Sequence, residues 1–241
     1  MQDRTYERRM AELTCAFYAQ VGQSFSDTRQ RPWQGFERLS EELNLSQMSS
    51  VSVLDIACGN LRFERYLETL VPHVESCCVD ADDALVATGT TRDIVHLITS
   101  DVISSLIDDT FSTTLTDAGP FDLAVTFGFM HHVPSETLRI RLARVMLEHV
   151  RVGGHAVFSF WQFSKDERIM RKAKAIPEGY AGDYLLGWQD ATDVWRFCHD
   201  ASEDEIDKLV GSLADIARER LRYSADGKRN NLNRYLILER I

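Results

Sequence analysis

Three apolar runs in this chain each end on an aspartate: Asp55 in Val53-Leu54-Asp55, Asp80 after Val79 and Asp101 after Ser100. Asp55 leads into a turn of mostly small residues, Ile56-Ala57-Cys58-Gly59-Asn60, and no basic residue follows before Arg62. Small residues let the backbone approach a ligand closely, and a carboxylate at that place suits an amino-bearing or cationic group. A dinucleotide pyrophosphate would call for GxGxxG, of which only Gly59 is present. Asp80, with Ala81 beside it, can accept hydrogen bonds from both hydroxyls of a ribose. Asp101 is placed for an adenine amino group, with Val102 against the ring. Singly, each aspartate also reads as a helix cap or turn former. Their succession on three strand ends is the informative feature.

A second set of residues suits a reacting partner. His131 and His132 follow the fourth apolar run, which closes at Phe127, and an imidazole there can orient an acceptor or take its proton. Arg29 and Arg196 can clamp a carboxylate, because the planar guanidinium pairs bidentately. Trp33, Trp161, His199, Asn231 and Arg234 complete the candidate substrate contacts. Each has a plainer reading: a surface arginine for Arg29, helix packing for Trp33, lid packing for Arg196 and His199, and polar turn residues for Asn231 and Arg234.

The elements that must position these groups alternate between strand-like and helix-like. Strand runs are expected at 51–57, 74–80, 94–101, 121–127 and 155–163, and helices at 61–71, 82–88 and 135–151, the last stopped by Gly153-Gly154. That alternation predicts an α/β fold, a doubly wound, mostly parallel sheet with ligands at the carboxyl ends of its strands. Residues 1–48 form a helical cap with helices at 5–21 and 33–43, and 49–163 the cofactor-binding core. Residues 164–200, rich in Gly and Trp with weak periodicity, read as a lid. The remainder, 201–241, forms a last helix and a hairpin about Asp226-Gly227 that adds an antiparallel edge. One domain is expected.

At this point the chain resembles the class I S-adenosylmethionine-dependent methyltransferases. Their acidic, glycine-rich first turn and acidic second and third strand ends match Asp55, Gly59, Asp80 and Asp101. Ala57 and Leu61 stand where that pattern has glycine or another small residue, which predicts a tighter turn and an altered methionine pocket. The resemblance implies S-adenosylmethionine as cofactor and a seven-stranded Rossmann-like sheet whose last strand is antiparallel. A narrower similarity, to tRNA wobble 5-carboxymethyluridine methyltransferases, rests on several motifs in shared order. These are Phe25-Ser26-Asp27-Thr28-Arg29, Pro32-Trp33, Gly59-Asn60, His131-His132-Val133-Pro134-Ser135 with Arg139, Gly153-Gly154, Trp161 and Arg196-Phe197-Cys198-His199. It implies methyl ester formation on tRNA, a small activating partner subunit, and Arg29 on the methionine carboxylate of the cofactor. Methyl transfer from a sulfonium is an in-line displacement, so His132, Arg29 and Arg196 become the candidate catalytic groups. A small carboxylate or other metabolite is the competing acceptor.

Composition limits the alternatives. A formal net charge of -10 over 241 residues argues against an all-over basic coat, although basic residues cluster at 165–174 and 217–241, where they could meet phosphates. Five cysteines form no CxxC pair and no metal-ligand spacing, so no metal is expected and the thiols read as reduced, in cytoplasm. No apolar run is long enough to span a membrane.

Overall fold

The computed structural model describes residues 2–28, 30–93, 95–116, 118–188 and 193–241. Helix α1 (Gln2–Asp27) buries Tyr6, Met10, Ala11, Thr14 and Phe17, a spacing that puts all five on one helical stripe. Helix α2 (Gln34–Glu42) buries Phe36 and Leu39 one turn apart. The core then alternates as expected: β1 (Ser50–Ile56), α3 (Arg62–Leu67), β2 (His73–Asp80), α4 (Asp83–Val86) and β3 (Val95–Thr99). Two short helices not expected from periodicity, α5 (Val102–Ile107) and α6 (Phe111–Thr114), lead to β4 (Phe121–Thr126). Helix α7 (Glu136–Glu148) is followed by β5 (Val150–Trp161).

Gly153-Gly154 does not stop α7. The helix ends at His149, whose Nδ1 meets the Val145 carbonyl at 2.7 Å, and both glycines lie inside β5. Gly153 has φ +76°, and a Cβ on Gly154 would fall 2.7 Å from the Asp122 carbonyl oxygen. The pair lets β5 bulge where its pairing with β4 passes from Phe121↔Val150 to Leu123↔His155.

The segment 164–200 is more regular than its weak periodicity suggests. It holds α8 (Glu167–Met170) and a three-stranded antiparallel sheet of β6 (Lys174–Ala175), β7 (Asp183–Gly187) and β8 (Trp195–His199). Phe197 of β8 packs with Tyr6 and Met10 of α1, so this sheet gains its core from a helix at the other end of the chain. Helix α9 (Glu203–Ser212) starts with a Ser202/Glu205 capping box. The hairpin of β9 (Ala217–Ala225) and β10 (Asn233–Arg240) closes the chain.

The main sheet has seven strands in the order β3-β2-β1-β4-β5-β10-β9. Strands β1 to β5 are parallel and β10 is antiparallel to both its neighbours. The hairpin therefore adds more than an edge: the last strand is inserted beside β5 and β9 takes the rim. Order reverses between β1 and β4, which opens a crevice above their carboxyl ends. Among the described residues no helix is long and apolar enough to cross a membrane.

Candidate active site

A cleft of about 1220 Å³ opens over the carboxyl ends of the strands, between the sheet, the C-terminal half of α1 and the β8 edge of the small sheet. Its first end is built by the turn after β1. Ala57, Gly59 and Leu61 all hold left-handed φ values, +63°, +56° and +56°, so the positions where the family pattern wants small residues keep a conformation natural to glycine. Ala57 and Leu61 therefore hold the turn with backbone strain. Two backbone donors, Ala57 N–H and Cys58 N–H, reach the Val79 carbonyl at 2.7 and 3.3 Å and fix the turn to β2. Asp80 completes the attachment, accepting from Gly59 N–H at 2.8 Å and Asp82 N–H at 3.0 Å while its carboxylate lines the cleft.

Asp55, Asp101 and Val102 line the same end, with Ala81 at its rim. Asp101 is also a helix cap, accepting from Ser104 N–H at 3.1 Å and Ser104 Oγ–H at 2.7 Å. Both readings of that aspartate thus hold at once. Asp55 is buried, and its carboxyl lies in hydrogen-bonding contact with that of Glu64. Burial, and after it the charge of Glu64, pushes the Asp55 carboxyl well above the usual carboxylate range. Glu64 itself is buried, and its meeting with Asp55 was not legible in the sequence.

Asn60 joins the turn to the N-terminal arm by donating from Nδ2 to Ser26 Oγ at 3.0 Å. Trp33 packs against Gly128, where a Cβ would come within 2.9 Å of the indole, and carries the Arg62 guanidinium on its ring at 4.4 Å. Burial pushes Arg62 down to about 10. Phe127 lies among Trp33, Phe36, Phe63 and Tyr235 and forms the floor next to them.

The second end receives His131, His132, Trp161 and Arg196. A 3₁₀ turn at Met130–His132 presents both histidines, and both are buried. His131 lies 4.8 Å from the Trp161 ring, and the Arg196 guanidinium lies 4.6 Å from the Phe17 ring and 6.0 Å from that of Trp161. His132 Nδ1 is 2.8 Å from the Phe197 carbonyl, which can only accept, so Nδ1 carries the proton. Its Nε2 then accepts from Tyr18 Oη–H at 2.9 Å. Tyr18, on α1 and lining the cleft, was missed by sequence reasoning, since a tyrosine in an amphipathic helix gives no signal of its own. Ligating atoms of His131, His132 and Cys198 also lie within 4.8 Å of one another, but Tyr18 and Phe197 already engage both nitrogens of His132.

Comparison with known proteins gives a consistent picture. No family model matches the chain. A protein of Encephalitozoon cuniculi named only as a methyltransferase is 27% identical over 183 residues, 76% of this chain and 77% of that one. The tRNA (carboxymethyluridine(34)-5-O)-methyltransferase of Schizosaccharomyces pombe is 26% identical over 60% of this chain and 55% of its own length. The Saccharomyces cerevisiae enzyme of the same name is 24% identical over 71% and 54%. The chain thus spans only about half of these two tRNA methyltransferases. Among solved structures, an S-adenosylmethionine-dependent methyltransferase from Methanosarcina mazei superposes with a TM-score of 0.59 at 14% identity, covering 80% of this chain and 92% of that one. A Micromonospora echinaspora amino pentose methyltransferase with bound S-adenosylmethionine gives 0.57 at 13% identity, over 92% and 97%.

The chain has the S-adenosylmethionine-dependent methyltransferase fold. The residues at the first end of the cleft fit that cofactor: the Asp55 and Asp80 carboxyls line the cleft, and at Gly59 the backbone has open space where a Cβ would point.

Three sequence-predicted contacts are not brought to the methyltransferase cleft. His199 is buried away from it, with Nδ1 2.7 Å from Asp183 Oδ1 and Nε2 2.9 Å from Glu205 Oε1, because alternation along β8 turns it from the Arg196 side. Arg234 is held by Glu203 at 3.1 Å on the sheet surface, and Asn231 also lies outside the lining. The hairpin turn instead contributes Asp226, Gly227, Leu232 and Asn233. Arg29 lies outside the described residues.

Proposed function

We propose that the chain transfers the methyl group of S-adenosylmethionine to a carboxylate acceptor, the wobble 5-carboxymethyluridine of tRNA. The observation that carries this reading is one continuous cleft with two chemically distinct ends. Strand-terminal Asp55, Asp80 and Asp101 stand at the first, and the buried Arg196 guanidinium with His131, His132 and Trp161 at the second. In this reading Asp80 takes the ribose, Asp101 and Val102 the adenine, and Arg196 a carboxylate that it pairs bidentately. A carboxylate nucleophile needs alignment and exclusion of water more than it needs a base. Similarity to the named tRNA methyltransferases supports the choice of tRNA as the carrier of that carboxylate.

A small carboxylic acid is the second reading, and surface charge favours it. Of the C-terminal basic residues, Arg222 is paired with Glu203, Asp207 and Glu219, Arg234 with Glu203, and Arg218 with Glu239. Arg222 and Arg234 are thus largely buried in intramolecular pairs, and Arg218, though exposed, is paired as well. The two readings separate in one experiment: labelled methyl from S-adenosylmethionine is followed into the tRNA and small-molecule fractions of a lysate, which also supplies any partner subunit. Label in tRNA, lost on alkaline ester hydrolysis, supports the first. Label confined to small molecules removes it.

A further inference from the structure

Across the turn after β1 two carboxyls meet, Asp55 on the strand and Glu64 in α3. Asp55 is 3% exposed and lines the cleft, whereas Glu64 is 1% exposed and lies outside the lining. We propose that Asp55 and Glu64 hold one proton between them in the cofactor-free protein and release it when Asp55 accepts the ammonium of S-adenosylmethionine. The inference rests on the cofactor and not on the acceptor.

Phe63, Glu64 and Leu67 are the buried residues of α3. The Glu64 carboxyl meets Asp55, its own backbone N–H and the Cys78 thiol, and Cys78 pairs with Asp55 in the register of β1 and β2. The charged and titratable groups facing the pair are Cys58 of the turn, Cys78 and Asp80 of β2, and Arg62 and Arg65 of α3. Contact with Cys58, and after it burial, pushes the Cys78 thiol far up, so it stays protonated and donates to Glu64. Asp80 is tied to the Gly59 and Asp82 N–H groups, Arg65 donates to the Asn60 carbonyl, and Arg62 lies on the Trp33 ring. Two buried carboxyls in contact, with no ion pair to a cation among the described residues, do not both ionise. They titrate as a unit that keeps one proton. Burial pushes Glu64 up, as it does Asp55.

The charge balances. One O–H bond of the pair breaks and its proton passes to solvent through the cleft, the electron pair staying on the carboxyl oxygen. The pair goes from one negative charge to two as the cleft gains one positive charge, so the buried charge is unchanged. With a neutral ligand the second carboxylate would be buried without compensation, so the proton stays. Glu64 is thus a positioning residue, which holds the proton on Asp55 until a cation is present.

Calorimetry in two buffers of different ionisation heat tests this with S-adenosylmethionine, S-adenosylhomocysteine and methylthioadenosine, which keeps the adenosine but has no ammonium. Between about pH 5.5 and 7, where an α-amino group stays charged, we expect about one proton released with the first two ligands and none with the third. The affinity of the first two rises about tenfold per pH unit while the pair is protonated, and that of methylthioadenosine stays level. In Glu64→Gln the amide donates to an ionised Asp55, so the release and the pH slope both vanish. A purely structural role would lower affinity and leave the proton count alone. Difference infrared spectra of the unaltered protein give a second readout: a protonated-carboxyl C=O band that is lost on S-adenosylhomocysteine binding. Equal release with methylthioadenosine, no release with the amino-bearing ligands, an unchanged count in Glu64→Gln or no lost band overturns the shared proton and leaves the cofactor standing. Binding of none of the three ligands overturns both.

Discussion

At Leu61 backbone and side chain pull in opposite directions. Its left-handed φ costs about 1–2 kcal/mol in an L-residue, yet its side chain is buried with Cys58, Cys78 and Val86. Gly89 makes room for it, since a Cβ there would lie 2.9 Å from the Leu61 Cβ. Losing a buried leucine typically costs about 2–5 kcal/mol, so packing wins and Leu61→Gly lowers stability despite relieving the backbone. Ala57, half-buried with little side chain to lose, behaves oppositely. Ala57→Gly gains about 0.5 kcal/mol, read as a higher urea midpoint at unchanged slope. Asp80 serves both turn and ligand, so Asp80→Ala weakens S-adenosylmethionine binding at least tenfold by calorimetry, as expected for about 1.5–3 kcal/mol in charged hydrogen bonds. Unchanged affinity would remove Asp80 from the cofactor site.

At the scale of elements, the small sheet is fastened to α9 through His199. Tyr6 donates to Asp183 Oδ2 at 2.6 Å, His199 bridges Asp183 and Glu205, and Arg139 reaches Glu205 at 3.3 Å. Burial alone would lower the His199 pKa, but its bonds to Asp183 and Glu205 outweigh burial and raise it. Glu205, which burial would raise, is pulled down to about 2 by His199 and Ser202. A raised histidine stabilises the fold fully below its unfolded pKa of about 6.5 and loses that contribution as pH rises through the folded value. The depressed Glu205 contributes above its unfolded value of about 4.3 and is lost toward pH 2. Thermal melts therefore peak between about pH 4.5 and 6.5, and His199→Gln flattens the decline on the alkaline side. A decline of the same steepness in that variant would assign it to other groups.

For the whole molecule, net charge and its internal pairing decide how nucleic acid could be met. Lys228 and Arg229 sit exposed in the hairpin turn beside the cleft residues Gly227 and Leu232, with no ion pair among the described residues. If tRNA is the acceptor, replacing both by Glu weakens binding in gel shifts at low salt. It also reduces the salt slope by roughly 1.4–1.8, about 0.7–0.9 per phosphate contact. An unchanged slope favours the metabolite.

The sequence by itself determined the parallel core, because apolar runs of strand length alternating with helical periods allow few other arrangements. It also marked Asp55, Asp80 and Asp101, because the end of a buried strand is a place the pattern locates. Contacts between distant segments were not legible. The insertion of β10 beside β5, the folding of 164–200 onto α1, and the meeting of Tyr18 with His132 join residues far apart in the chain, and no local periodicity encodes them. The same holds for His199 and Arg234, whose polar character was plain but whose direction was fixed by strand alternation and neighbouring carboxylates. Tertiary packing decided which polar groups face the cleft, because burial must satisfy each of them somewhere and only the folded chain shows where.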